Sequence, residues 1–250
     1  MKKNFNWLGL KIAGLICLFA LTSLAQQTIV NVPSSDVLGK DEYYFEFDAS
    51  FKTNKDPDNV LNKFSSFVPR FVAGVGKNIE VGVNLTGNIQ PGSDATTLVT
   101  AAKMKIWEKK GWSLVAGDHV YIPLRNRSYN IGNYVYLQTS KTFKSNTRLT
   151  VGAYHTSKNV FAPKAQRAGG QFGFEQTINS KFSVGADWIT GKHAAGYFTP
   201  VLTIKPASKT AVYLGYSIGN SGVSKGNHFF YAAVGFTFSR PAETVAQEEK

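Results

Sequence analysis

The chain has 250 residues, a formal net charge of +12 and one cysteine. This length fits a single domain. One cysteine excludes a scaffold held by internal disulfides and a paired-cysteine metal site. Aromatic residues make up 13% of the chain and glycine is abundant, whereas strong helix formers are sparse. Because long segments also alternate in polarity, we expect a fold built from β-strands.

The first predicted element is a secretory signal over residues 1–25. Lys2 and Lys3 give it a basic start, and a mostly apolar run follows from Trp7 to Leu24. Small residues then precede Gln26, where a signal peptidase is expected to cut. An uncleaved membrane anchor is the alternative, but the apolar run is short for a membrane span.

Cys17 lies inside this predicted signal, so we expect a mature chain without any disulfide. Residues 26–40 are predicted to form a periplasmic N-terminal segment. No second long apolar run follows, and we therefore expect no transmembrane helix after the signal.

Beyond that segment, polarity alternates with the two-residue period of β-strands. In the first such stretch Tyr43, Phe45 and Phe47 share one face, whereas Glu46 and Asp48 share the other. Lipid would cover the aromatic face in a bilayer. Twelve strands of this kind are predicted, over residues 42–52, 66–75, 79–89, 98–106, 112–122, 133–143, 148–157, 171–178, 182–190, 197–205, 210–218 and 228–238.

The predicted fold class is all-β, a closed antiparallel transmembrane β-barrel of about 12 strands over residues 41–238, followed by a disordered polar tail over 239–250. The connections alternate between tight turns and longer loops, as periplasmic turns and outer loops do in bacterial barrels. A β-sandwich and a barrel with a dry core are the soluble alternatives. In a membrane the sheet must close, because an open edge leaves backbone groups unpaired in lipid.

One position breaks the alternation of the fifth strand. Asp118 falls on the phase assigned to lipid, where a carboxylate is unfavourable. Either a bulge shifts the phase there or the strand ends before it.

The last predicted strand ends in Phe236-Thr237-Phe238 and resembles the aromatic-ended final strand that barrel-assembly machinery recognises in outer-membrane proteins. The opening Gly39–Phe47 resembles small porin-like transporter barrels, including those tied to aromatic-compound degradation. The resemblance implies a bacterial outer-membrane channel for passive passage of small solutes. The expected partners are outer-membrane lipid, lipopolysaccharide, the barrel-assembly machinery and small polar solutes.

The charged side chains on the phase assigned to the lumen are the candidate pore-lining residues. Either they position solutes and set ion preference in an open lumen, or they pair with each other and plug it. These residues are Glu46, Asp48, Arg70, Glu80, Lys103, Lys105, Arg148, Glu175 and Asp187.

The predicted outer loops are basic. Such a rim would attract anions over about a Debye length, or bind anionic lipopolysaccharide. The loop cations are Arg125, Arg127, Lys158, Lys164, Arg167, Lys192 and Lys225. A mild preference for anions is therefore expected.

One pattern offers an alternative function. His155 and Ser157 are two residues apart on a predicted strand and share its lipid face. This resembles the His-x-Ser of outer-membrane phospholipase A and lipid A deacylases, which implies a lipid hydrolase with Asn133 as the orienting group. Lys158 and Asn159 replace the Asn-Gly that follows the serine in that family. The preferred prediction is that no residue is catalytic.

No other chemistry is predicted. His119, His155, His193 and His228 lie far apart in sequence, and no phosphate-binding glycine loop is present. We expect no metal and no cofactor. Nucleic-acid binding is not expected in an exported barrel, despite the positive charge.

Overall fold

The computed structural model describes residues 28–52, 66–86, 96–124, 130–161, 163–220 and 228–239. The predicted signal and the residues of the polar tail beyond 239 lie outside this part of the chain. Across the described ranges, no helix is long and apolar enough to cross a membrane.

Antiparallel strands form one closed sheet, in which each strand pairs with its neighbours in sequence and the first pairs with the last. The predicted all-β barrel is confirmed. In the described residues there are twelve strands: β1 (Glu42–Lys52), β2 (Ser66–Gly76), β3 (Ile79–Thr86), β4 (Thr97–Lys109), β5 (Trp112–Pro123), β6 (Gly132–Thr142), β7 (Thr147–Thr156), β8 (Ala168–Thr177), β9 (Phe182–Ile189), β10 (Tyr197–Ala207), β11 (Thr210–Gly219) and β12 (Phe229–Ser239).

The predicted bounds differ from these by a few residues. β4 extends to Lys109, because the two-residue turn Lys110-Gly111 lets pairing with β5 continue to the strand end. Both turn residues have positive φ, at 52° and 76°, which matches the twist of the flanking strands. β8 begins earlier than predicted, at Ala168, and residues 87–89 of the predicted third strand lie outside the described part.

Short turns and long loops occupy opposite ends of the barrel, as predicted. We call the end where β1 begins and β12 ends the terminal end, and the opposite end the loop end. The terminal end carries the short connections 77–78, 110–111, 143–146, 178–181 and 208–209. The loop end carries the connections 53–65, 87–96, 124–131, 157–167, 190–196 and 220–228.

The outer surface is apolar and the interior is polar. Phe45 is 37% exposed and Leu137 is 51% exposed, whereas Glu46 and Gln138 are buried inside the barrel. A soluble β-sandwich or a dry-core barrel would place these residue types the other way round. The arrangement is that of a transmembrane barrel.

Asp118 faces outward, and neither explanation offered for it is correct. β5 runs through Asp118 to Pro123 and pairs with β6 without a break in register. Its neighbour His119 lies opposite the buried Tyr134 and contacts that ring, so His119 points inward. Asp118 must therefore point to the other side. The bulge in this region belongs to β4.

Residues 28–38 lie inside the barrel, where Val32, Ser34 and Leu38 are buried. The prediction of a periplasmic segment over residues 26–40 did not foresee this placement. The entry is tight, since a Cβ on Gly74 would lie 1.8 Å from the carbonyl oxygen of Gly39. The physical reason for the placement is that inward side chains satisfy the segment's backbone groups, as the lumen contacts show. We call residues 28–38 the inner segment.

Candidate functional site: the barrel lumen

Asp187 of β9 holds the tip of the inner segment. Its Oδ2 accepts hydrogen bonds from the backbone amides of Val30 at 2.9 Å, Asn31 at 2.5 Å and Val32 at 2.7 Å. Its Oδ1 accepts a further bond from the Asn31 side chain at 3.3 Å. The chain turns back on itself here, which directs three consecutive amides at one carboxylate. Hydrogen bonds to an ionised group are about twice as strong as neutral ones, so this contact anchors the segment.

Arg70 of β2 joins two acidic residues of β1 to the start of the inner segment. Its guanidinium lies 2.7 Å from Glu46 and 3.2 Å from Asp48. It also donates to the hydroxyl of Thr28 at 2.9 Å. Tyr231 of β12 donates to Asp48 at 3.2 Å. These contacts tie the closing seam of the barrel to the segment within it.

A second ion pair, between Lys103 of β4 and Glu80 of β3, is almost completely buried, with Nζ and Oε1 2.8 Å apart. Each partner also touches the inner segment. Glu80 accepts from the amide of Leu38 at 2.9 Å, and Lys103 donates to the carbonyl of Ser34 at 3.2 Å. A buried pair is tolerated when such further hydrogen bonds satisfy the remaining donors and acceptors.

Nearer the terminal end, Arg148 of β7 bridges the wall and the segment. It binds Glu175 of β8 through two nitrogens at 2.6 Å each, and Asp36 of the segment at 2.8 Å. A cavity of about 250 Å³ lies beside this cluster. Lys205 also lines it, is half-buried and forms no ion pair with any described residue. The cavity is therefore polar and contains one cation that is not neutralised by a direct partner.

The structure places the nine charged candidates on the inward side. Eight of them form ion pairs or hydrogen bonds with the inner segment or with one another beside it. Lys105 differs, because it pairs with the exposed Glu108 at 2.8 Å near the terminal end. Sequence reasoning missed two residues that hold the segment. Gln138 donates to the carbonyl of Pro33, and Asp36 accepts from Arg148. The available signal was weak: residues 29–32 are more apolar than a disordered linker usually is.

The inner segment fills most of the bore at its level. Twelve strands about 4.8 Å apart and tilted about 40° give a backbone radius of about 12 Å. Because sheets pack face to face about 10 Å apart, one inward layer of side chains takes up about 5 Å of this radius. The remaining space matches the width of one extended chain with its side chains, so a solute passes this level only beside the segment or after it moves.

At the loop end, His193 ties the β9–β10 connection to β7. Tyr154 donates to the carbonyl of Thr190 at 2.6 Å, and its hydroxyl lies 2.5 Å from His193 Nε2. Ala195 donates its amide to Nδ1, so Nε2 carries the proton. Phe161 stacks on the imidazole with centroids 4.1 Å apart. Burial lowers the pKa of His193, which keeps the ring neutral.

The residues of the alternative hydrolase hypothesis are not joined in the structure. His155 is exposed on the outward face, and within the described residues no hydrogen bond links it to Ser157. The Ser157 hydroxyl accepts from the backbone amide of Asn133 at 2.9 Å. Asn133 thus contacts Ser157 through its backbone and does not orient a base. A nucleophile beside its base requires a hydrogen bond that this geometry lacks.

The basic rim is visible in part. Exposed cations at the loop end are Lys158, Lys164, Arg167 and Lys192, whereas Arg125, Arg127 and Lys225 lie outside the described residues. Within the described ranges, no group of three or more His, Cys, Asp or Glu side chains is placed to hold a metal ion.

No protein-family model matches the chain, and no curated protein matches it. The KdgM porin in complex with disordered oligogalacturonate has a similar structure, with a TM-score of 0.53 and 10% identity over 79% of this chain and 99% of that one. The COG4313 outer membrane channel from Pseudomonas putida F1 gives a TM-score of 0.51 and 12% identity, over 81% and 97%. The resemblance to small outer-membrane barrels of porin-like type is confirmed at the level of the fold.

Proposed function

We propose that the chain forms a bacterial outer-membrane channel for small polar solutes, and that its inner segment narrows the channel. The observation that carries this proposal is the binding of a polar peptide backbone by Asp187, Lys103 and Glu80 inside a closed barrel. The same donors and acceptors suit the hydroxyl, amide or carboxylate groups of a solute. The fold shared with two channel proteins supports the proposal.

The location proposed is an outer membrane with the terminal end in the periplasm. The exposed apolar face of the strands supports a lipid environment. The short turns at the terminal end and the long loops opposite match the usual orientation of such barrels. The predicted signal over residues 1–25 supplies the route of export.

The proposed ion preference is mildly anionic and arises at the two entrances. In the middle of the lumen most charges of both signs are paired, as in the clusters around Arg70 and Lys103. Exposed cations surround the loop end, and Lys205 lines the cavity near the terminal end. Fixed cations at a pore mouth raise the local anion concentration and lower that of cations.

Single-channel recording in planar lipid bilayers tests the proposal. We expect discrete conductance steps from the mature chain and an anion-leaning reversal potential in a salt gradient. A variant that lacks residues 26–38 should conduct at least about twofold more, because removal of the inner segment widens the free bore. The matched control is a variant without residues 240–250, a tail of similar length, which should leave the steps unchanged.

A structural barrel with a plugged lumen is the second candidate, and the way the inner segment fills the bore favours it. In that case neither the mature chain nor the variant without residues 26–38 would show conductance steps, although circular dichroism and heat-modifiable gel migration show that both are folded. That result would overturn the channel proposal. Steps from the shortened chain alone would indicate a channel that the inner segment closes at rest.

A further inference from the structure

Asp118 and His155 interrupt the apolar outward face away from the terminal end. Asp118 lies opposite Val135 of β6, and Val135 lies opposite His155 of β7. The three residues form one row across three strands, all pointing outward. Strand spacing separates the backbones of Asp118 and His155 by about 10 Å.

Asp118 has an unmet requirement for a partner. One of its carboxylate oxygens is enclosed by the barrel wall and accepts no hydrogen bond from the described residues, which leaves the other oxygen to meet a partner. An acidic side chain on the lipid face of a barrel is unfavourable, and an ionisable residue at membrane depth is a candidate interaction site. His155 also forms no side-chain hydrogen bond with any described residue. Within one barrel, Val135 stands between the two.

A two-fold axis along the membrane normal and through Val135 satisfies both residues at once. In an isologous contact, if one residue of the first copy contacts another residue of the second copy, the same pair also forms with the two copies exchanged. Such an axis places Asp118 of each copy across from His155 of the other, offset by about 6 Å along the normal because strands tilted by about 40° tilt the row equally, and the two side chains together span this offset. We propose that the chain forms a homodimer through the outward face of β4–β8, centred on Val135 and closed by two Asp118–His155 hydrogen bonds.

The side chains around this row permit close approach. Outward neighbours of Asp118 and His155 are small, namely Ala102, Ala116, Ala153 and Ala168. The large rings of this face, such as Trp107, Trp112 and Phe172, lie nearer the terminal end and away from the row. In membranes, small residues let backbones come close enough for packing and polar contacts between partners.

Cysteine crosslinking in the native membrane tests the location of the axis. All variants carry Cys17→Ala, which removes the cysteine of the wild-type chain. Val135→Cys should form a covalent dimer on mild oxidation, because the two copies of this position meet at the axis. Leu214→Cys is the control, since Leu214 is at least as exposed as Val135, at 46% against 37%, and lies on β11, across the barrel. Equal crosslinking of the two variants would overturn the proposal.

Sedimentation equilibrium in detergent micelles tests the pairing. We expect a dimer from the wild type and an association constant at least about tenfold lower for Asp118→Val and for His155→Leu. Both changes suit a lipid face, so the barrel should still fold. The exchanged double variant D118H/H155D restores both pairs across the axis and should recover dimerisation, whereas H155D alone opposes two carboxylates and should not. A monomeric wild type, or single variants that dimerise normally, would refute the pairing.

Discussion

The backbone amide of Asn31 lies 2.5 Å from the carboxylate of Asp187, a residue 156 positions later in the chain. The contact fastens the inner segment to β9 within the barrel. Because the amides of Val30 and Val32 converge on the same oxygen, one side chain determines where the turn of the segment sits.

Replacement of Asp187 by asparagine should loosen the inner segment. An amide keeps the size of the side chain but loses the charge, and its NH₂ group opposes the three backbone donors. Charge-assisted hydrogen bonds contribute about 1.5–3 kcal/mol each, so we expect a cysteine introduced at the buried Ser35 to react with a maleimide at least about tenfold faster. Glu108→Gln makes the same chemical change at an exposed position near the end of β4 and should not alter the rate. Unchanged labelling in Asp187→Asn would show that the segment is held elsewhere.

Removal of one member of the buried Lys103–Glu80 pair should destabilise the barrel. Lys103→Met leaves Glu80 charged and buried, which costs about 3–5 kcal/mol in comparable pairs. The free energy of unfolding in urea, measured with the barrel in lipid vesicles, should fall by this order. The double variant Lys103→Met, Glu80→Leu removes both charges and should recover most of the loss, which distinguishes the ion pair from packing. Additive losses in the double variant would contradict the assignment.

His193 should make the stability of the loop end depend on pH. Burial lowers its pKa below the ordinary value of 6.5, so the folded chain holds the neutral ring. As the pH falls below about 6.5, the unfolded chain takes up a proton that the folded site resists. The stabilisation present above that pH is then lost progressively as the pH falls through the folded pKa.

The measurement is the urea midpoint at pH 7.5 and at pH 5.5. The wild type should lose more stability on acidification than His193→Gln, which has no proton to gain and keeps every other titrating group. Equal losses would mean that other residues carry the pH dependence.

Ser157→Ala should leave lipid turnover unaltered. The hydroxyl accepts a hydrogen bond from the amide of Asn133 and does not meet His155, so its loss weakens a loop contact by about 1 kcal/mol. Fatty-acid release from phospholipid vesicles should be the same for the two proteins. If the wild type releases fatty acid and the variant does not, the hydrolase alternative is correct and the structural assignment of Ser157 fails.

The strands, their faces and the closure of the sheet follow from the sequence alone. In a barrel each residue faces either lipid or lumen, so a two-residue period assigns both sides, as it did for Phe45 and Glu46. Hairpin connections bring each strand beside the next one in sequence, and lipid forbids an open edge. These rules act locally along the chain and need no knowledge of distant contacts.

The position of the inner segment, the partners of the lumen charges and the outward Asp118 were decided only by the tertiary structure. Asn31 and Asp187 meet because a short segment bends into a bore of matching width and finds donors and acceptors there. No periodic pattern encodes such a contact between residues 156 positions apart. Asp118 was ambiguous in the sequence because a bulge inverts the phase of a strand, and only the pairing with β6 shows that β5 is regular.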